Sequence, residues 1–245
     1  KTFSEWRSEQ KSIRQIASKV VKPKTETLTD MITKLDLSKA TPQDIINVGK
    51  AAVEKHDIIN LIGNKDELVK VISQYRDVGY KIPDSSWAPG SVKKNQTLLQ
   101  GAFNVYPSDW GHMLEENGKG ISTRKVKRGY FVGEAAMTGR PSRYANIPNP
   151  ENFITINMNG VRKTTPFHEI GHMVEYFSKY ASRLSNEFID MRTKGEVEEK
   201  LNNILNMRCY GREVAKKDNF ITPYIEKTYK GGSTEVLSVG LESVF

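Results

Sequence analysis

Two of the four histidines in this 245-residue chain stand four positions apart around a glutamate, in the stretch KTTPFHEIGHMVEY from Lys163 to Tyr176. If the stretch is helical, His168 and His172 lie one above the other, and their imidazoles converge on a single ion. Glu169 is offset by one position. Its carboxylate then falls beside the ion rather than on it, where it takes a proton from a bound water. Two imidazoles with an adjacent carboxylate suit Zn²⁺, and zinc is the expected cofactor.

The surrounding residues supply the helix. Thr165 reads as an N-cap and Pro166 suits the first turn, so the helix is expected to begin immediately before Phe167. Phe167, Ile170, Val174 and Phe177 form one apolar stripe, and Gly171 beside it permits a close neighbour.

A catalytic zinc takes three protein ligands and a water. The single cysteine, Cys209, excludes an intramolecular disulfide and a thiolate cluster and reads as a small buried apolar residue. His56 in AAVEKHDIIN and His112 in SDWGHMLEENG belong to no repeated ligand spacing and read as surface or structural histidines. The better source is GGSTEVLSVGLESVF, where paired glycines precede a cap, Ser233 or Thr234, and a helix follows. Its apolar residues Val236, Leu237, Gly240, Leu241 and Val244 face the core, which turns Glu235, Ser238 and Glu242 toward a cleft. Glu235 and Glu242 are seven residues apart, about 10.5 Å along a helix, so they cannot both bind one ion.

Positioning these segments takes a mixed fold. Residues 1–82 read as a small helical module: Ile13, Ile16 and Val20 recur at helical spacing, Thr41 and Pro42 open a second helix, and NKDELVKVISQY repeats the period. Residues 83–94, within the Pro, Ser and Gly-rich stretch KIPDSSWAPGSVKKN, read as a linker. Residues 95–245 read as one α+β domain. QTLLQGAFNVY is helical, RGYFVGEAAM and NFITINMN are strands, and helices return from Thr165. NFITINMN is expected to be an edge strand over the cleft, able to pair with an extended peptide.

HEIGH and TEVLS together resemble the two metal segments of gluzincin-type zincin metallopeptidases, whose second helix carries a glutamate ligand in an E-x-x-S-type segment. The resemblance implies a zincin-like domain with a small sheet, an active-site helix and a C-terminal ligand helix, spanning about residues 95–245. It implies His168, His172 and Glu235 as zinc ligands, Glu169 as general base, and hydrolysis of peptide bonds in a peptide or protein substrate. AFNVYPSDW and TEVLSVGLE are also similar to metallopeptidase-like domains of phages and other mobile elements, some fused to head-morphogenesis proteins. Anthrax lethal-factor-like peptidases share the general plan. Where gluzincins carry an aspartate directly after the serine of that segment, this chain has Val239; Glu242, or Glu175 two turns after His168, then replaces it as acceptor for an imidazole N–H. Lethal-factor-like peptidases are similar in placing a tyrosine shortly before the glutamate ligand, and of Tyr224 and Tyr229 the latter fits better as oxyanion stabiliser. The alternative is a zincin-fold module of a phage structural protein without turnover, against which the intact Glu169 argues.

Composition bounds the rest. A hydrophobic content of 37% supports a core, and no apolar run reaches the length of a membrane span. The net charge of +8 favours acidic partners, yet the basic residues are spread along the chain, STRKVKRGY being the densest cluster, and no motif specifies nucleic acid. The first residue is Lys and no signal-peptide pattern follows it, which reads as a fragment or processed chain. A cytoplasmic or virion-associated location is expected, with export behind a removed signal left open. Oligomeric state is not readable.

Overall fold

A computed structural model describes residues 26–133, 147–206, 211–216, 222–227 and 232–245. The chain divides into two compact units, Lys1–Leu35 and Asp36–Phe245. Within the first, helix α1 (Leu28–Lys34) begins at a capping box in which Thr27 and Asp30 satisfy each other's backbone amides. Ile13, Ile16 and Val20 lie outside the described residues.

The second unit mixes helices with two small sheets, an α+β arrangement. It opens with α2 (Pro42–His56), capped by Thr41 with Pro42 in its first turn, followed by α3 (Ile58–Leu61) and α4 (Lys65–Ile72). These helices belong to the same compact unit as everything after them. The Arg183 guanidinium donates to the carbonyls of Leu37 and Ala40 at 2.8 and 3.0 Å, and the Gly63 amide donates to the Val244 carbonyl at 3.0 Å. Nor does the stretch 83–94 separate two units. The Ala88 and Val92 amides donate to the carbonyls of Ile121 and Thr123 at 2.9 and 3.0 Å, and Trp87 makes a parallel bridge with Ile121. A segment without apolar periodicity stays ordered here because its backbone groups are satisfied along the neighbouring strand.

Helices α5 (Lys93–Phe103) and α6 (Ser108–Glu116) then lead into a three-stranded sheet of β1 (Gly120–Ser122), β2 (Tyr130–Val132) and β3 (Phe153–Asn157). The order is β1-β3-β2, with β3 parallel to β1 and antiparallel to β2. This corrects the expectation that NFITINMN lies at an edge: β3 is central. Both of its faces are covered: Thr155 and Asn157 are buried as fully as Ile154 and Ile156. β1 and β2 are the edges; β1 is bridged on its outer side by Trp87, and among the described residues β2 has no partner beyond β3.

The core joins Tyr80 and Ile82 to α5, the sheet and α7 (Thr165–Phe177), the helix that carries both histidines. Phe167, Ile170, Met173 and Val174 are buried in it, and the Tyr106 hydroxyl donates to the Phe167 carbonyl at 3.1 Å. The helix starts one residue earlier than its sequence suggests. Thr164 occupies the N-cap position without capping through its side chain, and Thr165 lies inside the first turn. Then come α8 (Lys179–Arg192), a two-stranded sheet of β4 (Glu199–Lys200) and β5 (Val214–Ala215) with α9 (Leu201–Ile204) between its strands, and α10 (Val236–Val244). Helix α10 crosses α7 at Gly171, where a β-carbon would fall 2.6 Å from Ser238 Cα. Only glycine admits that approach. Cys209 lies outside the described residues, and among those described no helix is long and apolar enough to cross a membrane.

Candidate metal centre

The crossing at Gly171 brings the start of α10 against the histidine face of α7. The ligand atoms of His168, His172 and Glu235 lie within 4.8 Å of one another. Glu235 Oε2 is 3.2 Å from Nε2 of each histidine and also accepts from the Ser238 hydroxyl at 2.8 Å. The Glu235 side chain is fully buried, and those of His168 and His172 are nearly so. Burial opposes charge on Glu235, but the hydrogen bonds from the two histidines outweigh it and hold its carboxyl far below the usual range. Burial likewise opposes protonation of His168, yet its contacts with Glu235 and Glu242 raise it to about 10. Two imidazole nitrogens and one carboxylate oxygen, gathered on a common point in a buried setting, are a donor set that fits zinc.

Glu242 sits behind His168. Its Oε2 lies 3.0 Å from Nδ1, the nitrogen turned away from Glu235, while its Oε1 accepts from the Thr164 hydroxyl at 2.8 Å and pairs with Arg162 at 2.7 Å. Thr164 therefore orients the carboxylate that orients the imidazole, which explains why its hydroxyl does not cap α7. Glu175 has a different task from holding an imidazole. Its two oxygens accept from the Thr234 hydroxyl at 2.7 Å and the Thr234 amide at 3.0 Å, and Thr234 Oγ1 in turn accepts from the Val236 amide at 3.2 Å. The cap expected at Ser233 or Thr234 falls one residue later, with Glu235 at the N-cap position, while Thr234 is tied from α7 and its hydroxyl takes up the Val236 amide.

Glu169 is buried, and among the described residues its Oε2 has no hydrogen-bond partner. Burial pushes its carboxyl up to about 7, with the neighbouring histidines opposing. Its Oε1 occupies space left by Gly129, where a β-carbon would lie 2.6 Å away. Two cavities flank it. One, of about 490 Å³, reaches Arg162, Thr164 and Glu242; the other, of about 390 Å³, reaches Tyr130, Phe131, His172 and Glu235. Both are walled by His168, Glu169, Gly129, Arg128 and Tyr224, so open space runs across the site.

Tyr229 lies outside the described residues. Tyr224, on a 3-10 turn at Pro223–Glu226, faces the centre with its ring 6.4 Å from that of His168. Its hydroxyl accepts from Arg128 at 2.8 Å and bonds Glu235; burial, then the Glu235 charge, raises its pKa. Lys227, itself buried, sits 3.7 Å from Glu235 Oε1 and 3.4 Å from Glu213 Oε2. Sequence reasoning missed Arg128, Gly129 and Lys227 because they come from segments remote from the histidines, and Thr164, four residues before His168, because its bond to Glu242 joins two helices and follows no ligand spacing. His56 and His112 pair with Tyr75 and Glu115 in other parts of the unit. No family model matches this chain, and neither does any curated protein or solved structure.

Proposed function

We propose that the chain is a zinc-dependent metallopeptidase of the zincin type, with His168, His172 and Glu235 holding the metal. The observation that most supports this is the pairing of a three-ligand cluster with a buried, unpartnered carboxylate oxygen, Glu169 Oε2, beside a cleft open on two sides. A purely structural metal site has no use for that oxygen, and a fold retains a buried orphan carboxylate at a cost of several kcal/mol, of order ~2–7 for an uncompensated polar group.

Bound there, zinc supplies Lewis acidity and a water of lowered pKa. Glu169 Oε2 takes the proton of the attacking water and passes it to the leaving amine nitrogen. Glu242 fixes the His168 ring by accepting from Nδ1, which leaves Nε2 facing the ligand cluster. Tyr224, braced by Arg128, would turn its O–H from Glu235 to the oxyanion that develops on the scissile carbonyl. The edge of β2 that has no partner among the described residues, and whose Tyr130 and Phe131 line the cleft, offers backbone groups to an extended peptide.

The test is hydrolysis of an unbiased peptide library by the zinc-loaded chain. Cleavage is expected, lost on chelation and restored by zinc. A chain that carries its full zinc and cuts no peptide contradicts the proposal.

A further inference from the structure

Charge on the cleft wall changes character with distance from the metal centre. Over the centre every cation is matched: Arg128 pairs with Glu213, Lys227 with Glu213 and Glu235, and Arg162 with Glu242. Beside it lies a further cavity of about 480 Å³, lined by Arg124 to Arg128 together with Tyr130 and Asn157, with no carboxylate among the described residues of its wall. Lys125 and Lys127 are exposed, and among the described residues neither they nor Arg124 has an ion-pair partner.

Two features make this cavity part of the site rather than a solvated basic stretch. It shares Arg128 and Tyr130 with the cavity that holds His168, Glu169 and His172, so the two cavities adjoin at these residues. Its wall is also fixed in place. The Arg124 amide donates to Asn157 Oδ1 at 2.6 Å, the Arg124 carbonyl accepts from the Met158 amide at 3.2 Å and from Asn95 at 3.0 Å, and the Val126 amide donates to the Met158 carbonyl at 3.0 Å. The backbone between Arg124 and Val126 thus continues the pairing of β1 with β3 past Asn157, and it holds these cations at the end of the sheet where β2 begins.

We propose that this cavity is a substrate subsite for acidic side chains, so that the chain prefers peptide segments with aspartate or glutamate on the side of the scissile bond that lies against Arg124 to Lys127. The inference rests on the peptidase reading. A concave wall of one sign concentrates ligands of the other by roughly 10- to 1000-fold, and Arg and Lys pair with carboxylates through charge-assisted hydrogen bonds. Among the described residues the lining holds one aromatic ring, Tyr130, which gives successive nucleic-acid bases no stacking platform.

The experiment uses the zinc-loaded Glu169→Gln chain, which holds substrate without turning it over. Fluorescence anisotropy compares a labelled peptide carrying four consecutive Asp and Glu residues with its Asn and Gln counterpart at about 0.1 M salt, where the Debye length is about 10 Å. The acidic peptide is expected to bind about tenfold more tightly or better. Lys125→Glu with Lys127→Glu in the same background is expected to abolish that advantage, and the Lys125→Gln, Lys127→Gln pair to fall between, with circular dichroism checking that each variant is folded. In parallel, the wild-type chain and the charge-reversed pair digest the same peptide library. Wild type is expected to enrich acidic residues on one side of the cut, and the reversed pair to lose them. Equal affinity for the two peptides, an advantage that survives both substitutions, or an oligonucleotide of equal charge that binds as tightly and competes, overturns the inference. Library cleavage without acidic enrichment overturns it while leaving the peptidase reading intact. No cleavage at all by the zinc-loaded wild type removes that reading and the inference with it.

Discussion

The histidine helix buries a glutamate near each end, and its two ends treat them in opposite ways. Glu169 and Glu175 are 3% and 4% exposed, both are raised in pKa by burial, and both lie on α7. Toward the C-terminal end, Glu175 has its two oxygens taken up by the hydroxyl and amide of Thr234. Toward the N-terminal end, Glu169 keeps one oxygen without a partner. A buried carboxylate with saturated oxygens is a clamp; one with a free oxygen is available for chemistry. The same helix therefore ties down, at one end, the segment that delivers Glu235, and presents at the other the carboxylate that the proposed function uses as its base.

The same substitution at the two sites separates these roles most sharply. Glu169→Gln is expected to lower kcat/KM by roughly 10²- to 10⁴-fold, the usual size of a general-base contribution, with zinc content retained and stability not reduced. Peptide hydrolysis assays alongside metal analysis check it, and a variant that hydrolyses normally would make Glu169 a bystander. Next in size is Gly129→Ala, whose added β-carbon would meet Glu169 Oε1 at 2.6 Å and Thr165 Cγ2 at 2.7 Å. Displacing the carboxylate by a fraction of an ångström to one ångström is expected to cost about 10²-fold in kcat without loss of the metal. Unchanged kcat would show that the carboxylate does not depend on that space.

Glu242→Ala is expected to weaken zinc affinity by about 10- to 100-fold, measured by competition with a chromogenic chelator, because His168 loses the acceptor of its Nδ1–H. An affinity equal to wild type would reassign Glu242 to its contacts with Thr164 and Arg162. The smallest effect is expected at the other end of the helix. Glu175→Gln exchanges one of two oxygens for a donor facing Thr234 and is expected to lower folding stability by about 1–2 kcal/mol in denaturant titration, with hydrolysis by the zinc-loaded fraction close to wild type. If Glu175→Gln lost hydrolysis and kept its stability, the contrast between the two ends would collapse.

How much of this could be read from the sequence depends on how local each signal is. The histidine pair is an i, i+4 pattern, and Gly171 between the ligands pointed to close packing before any neighbour was known. The glycines and Thr234 ahead of Glu235 marked a helix start for the same reason. What spacing left open was which glutamate stands behind an imidazole. Glu242 and Glu175 both satisfy the helical period, and only the crossing of α7 and α10 at Gly171 sets Glu242 against His168 and Glu175 against Thr234. Gly129, Arg128 and Lys227 were illegible because they reach the centre through strand pairing and a turn. The α and β content was legible from periodicity, whereas the central place of β3 was not, since strand order is a long-range property. The boundary read at residues 83–94 shows the same limit: a stretch rich in Pro, Ser and Gly looks like a linker until its amides are found bonded to Ile121 and Thr123.

The measurement that bears most directly on the account is the zinc content of three purified chains, wild type, Glu235→Ala and Glu169→Gln, after equilibration with limiting zinc and removal of loosely held metal. The account predicts about one zinc in wild type, about one in Glu169→Gln and none in Glu235→Ala, as three protein ligands and a separate proton acceptor require. Full zinc in Glu235→Ala, or its loss in Glu169→Gln, would contradict the assignment of ligand and base.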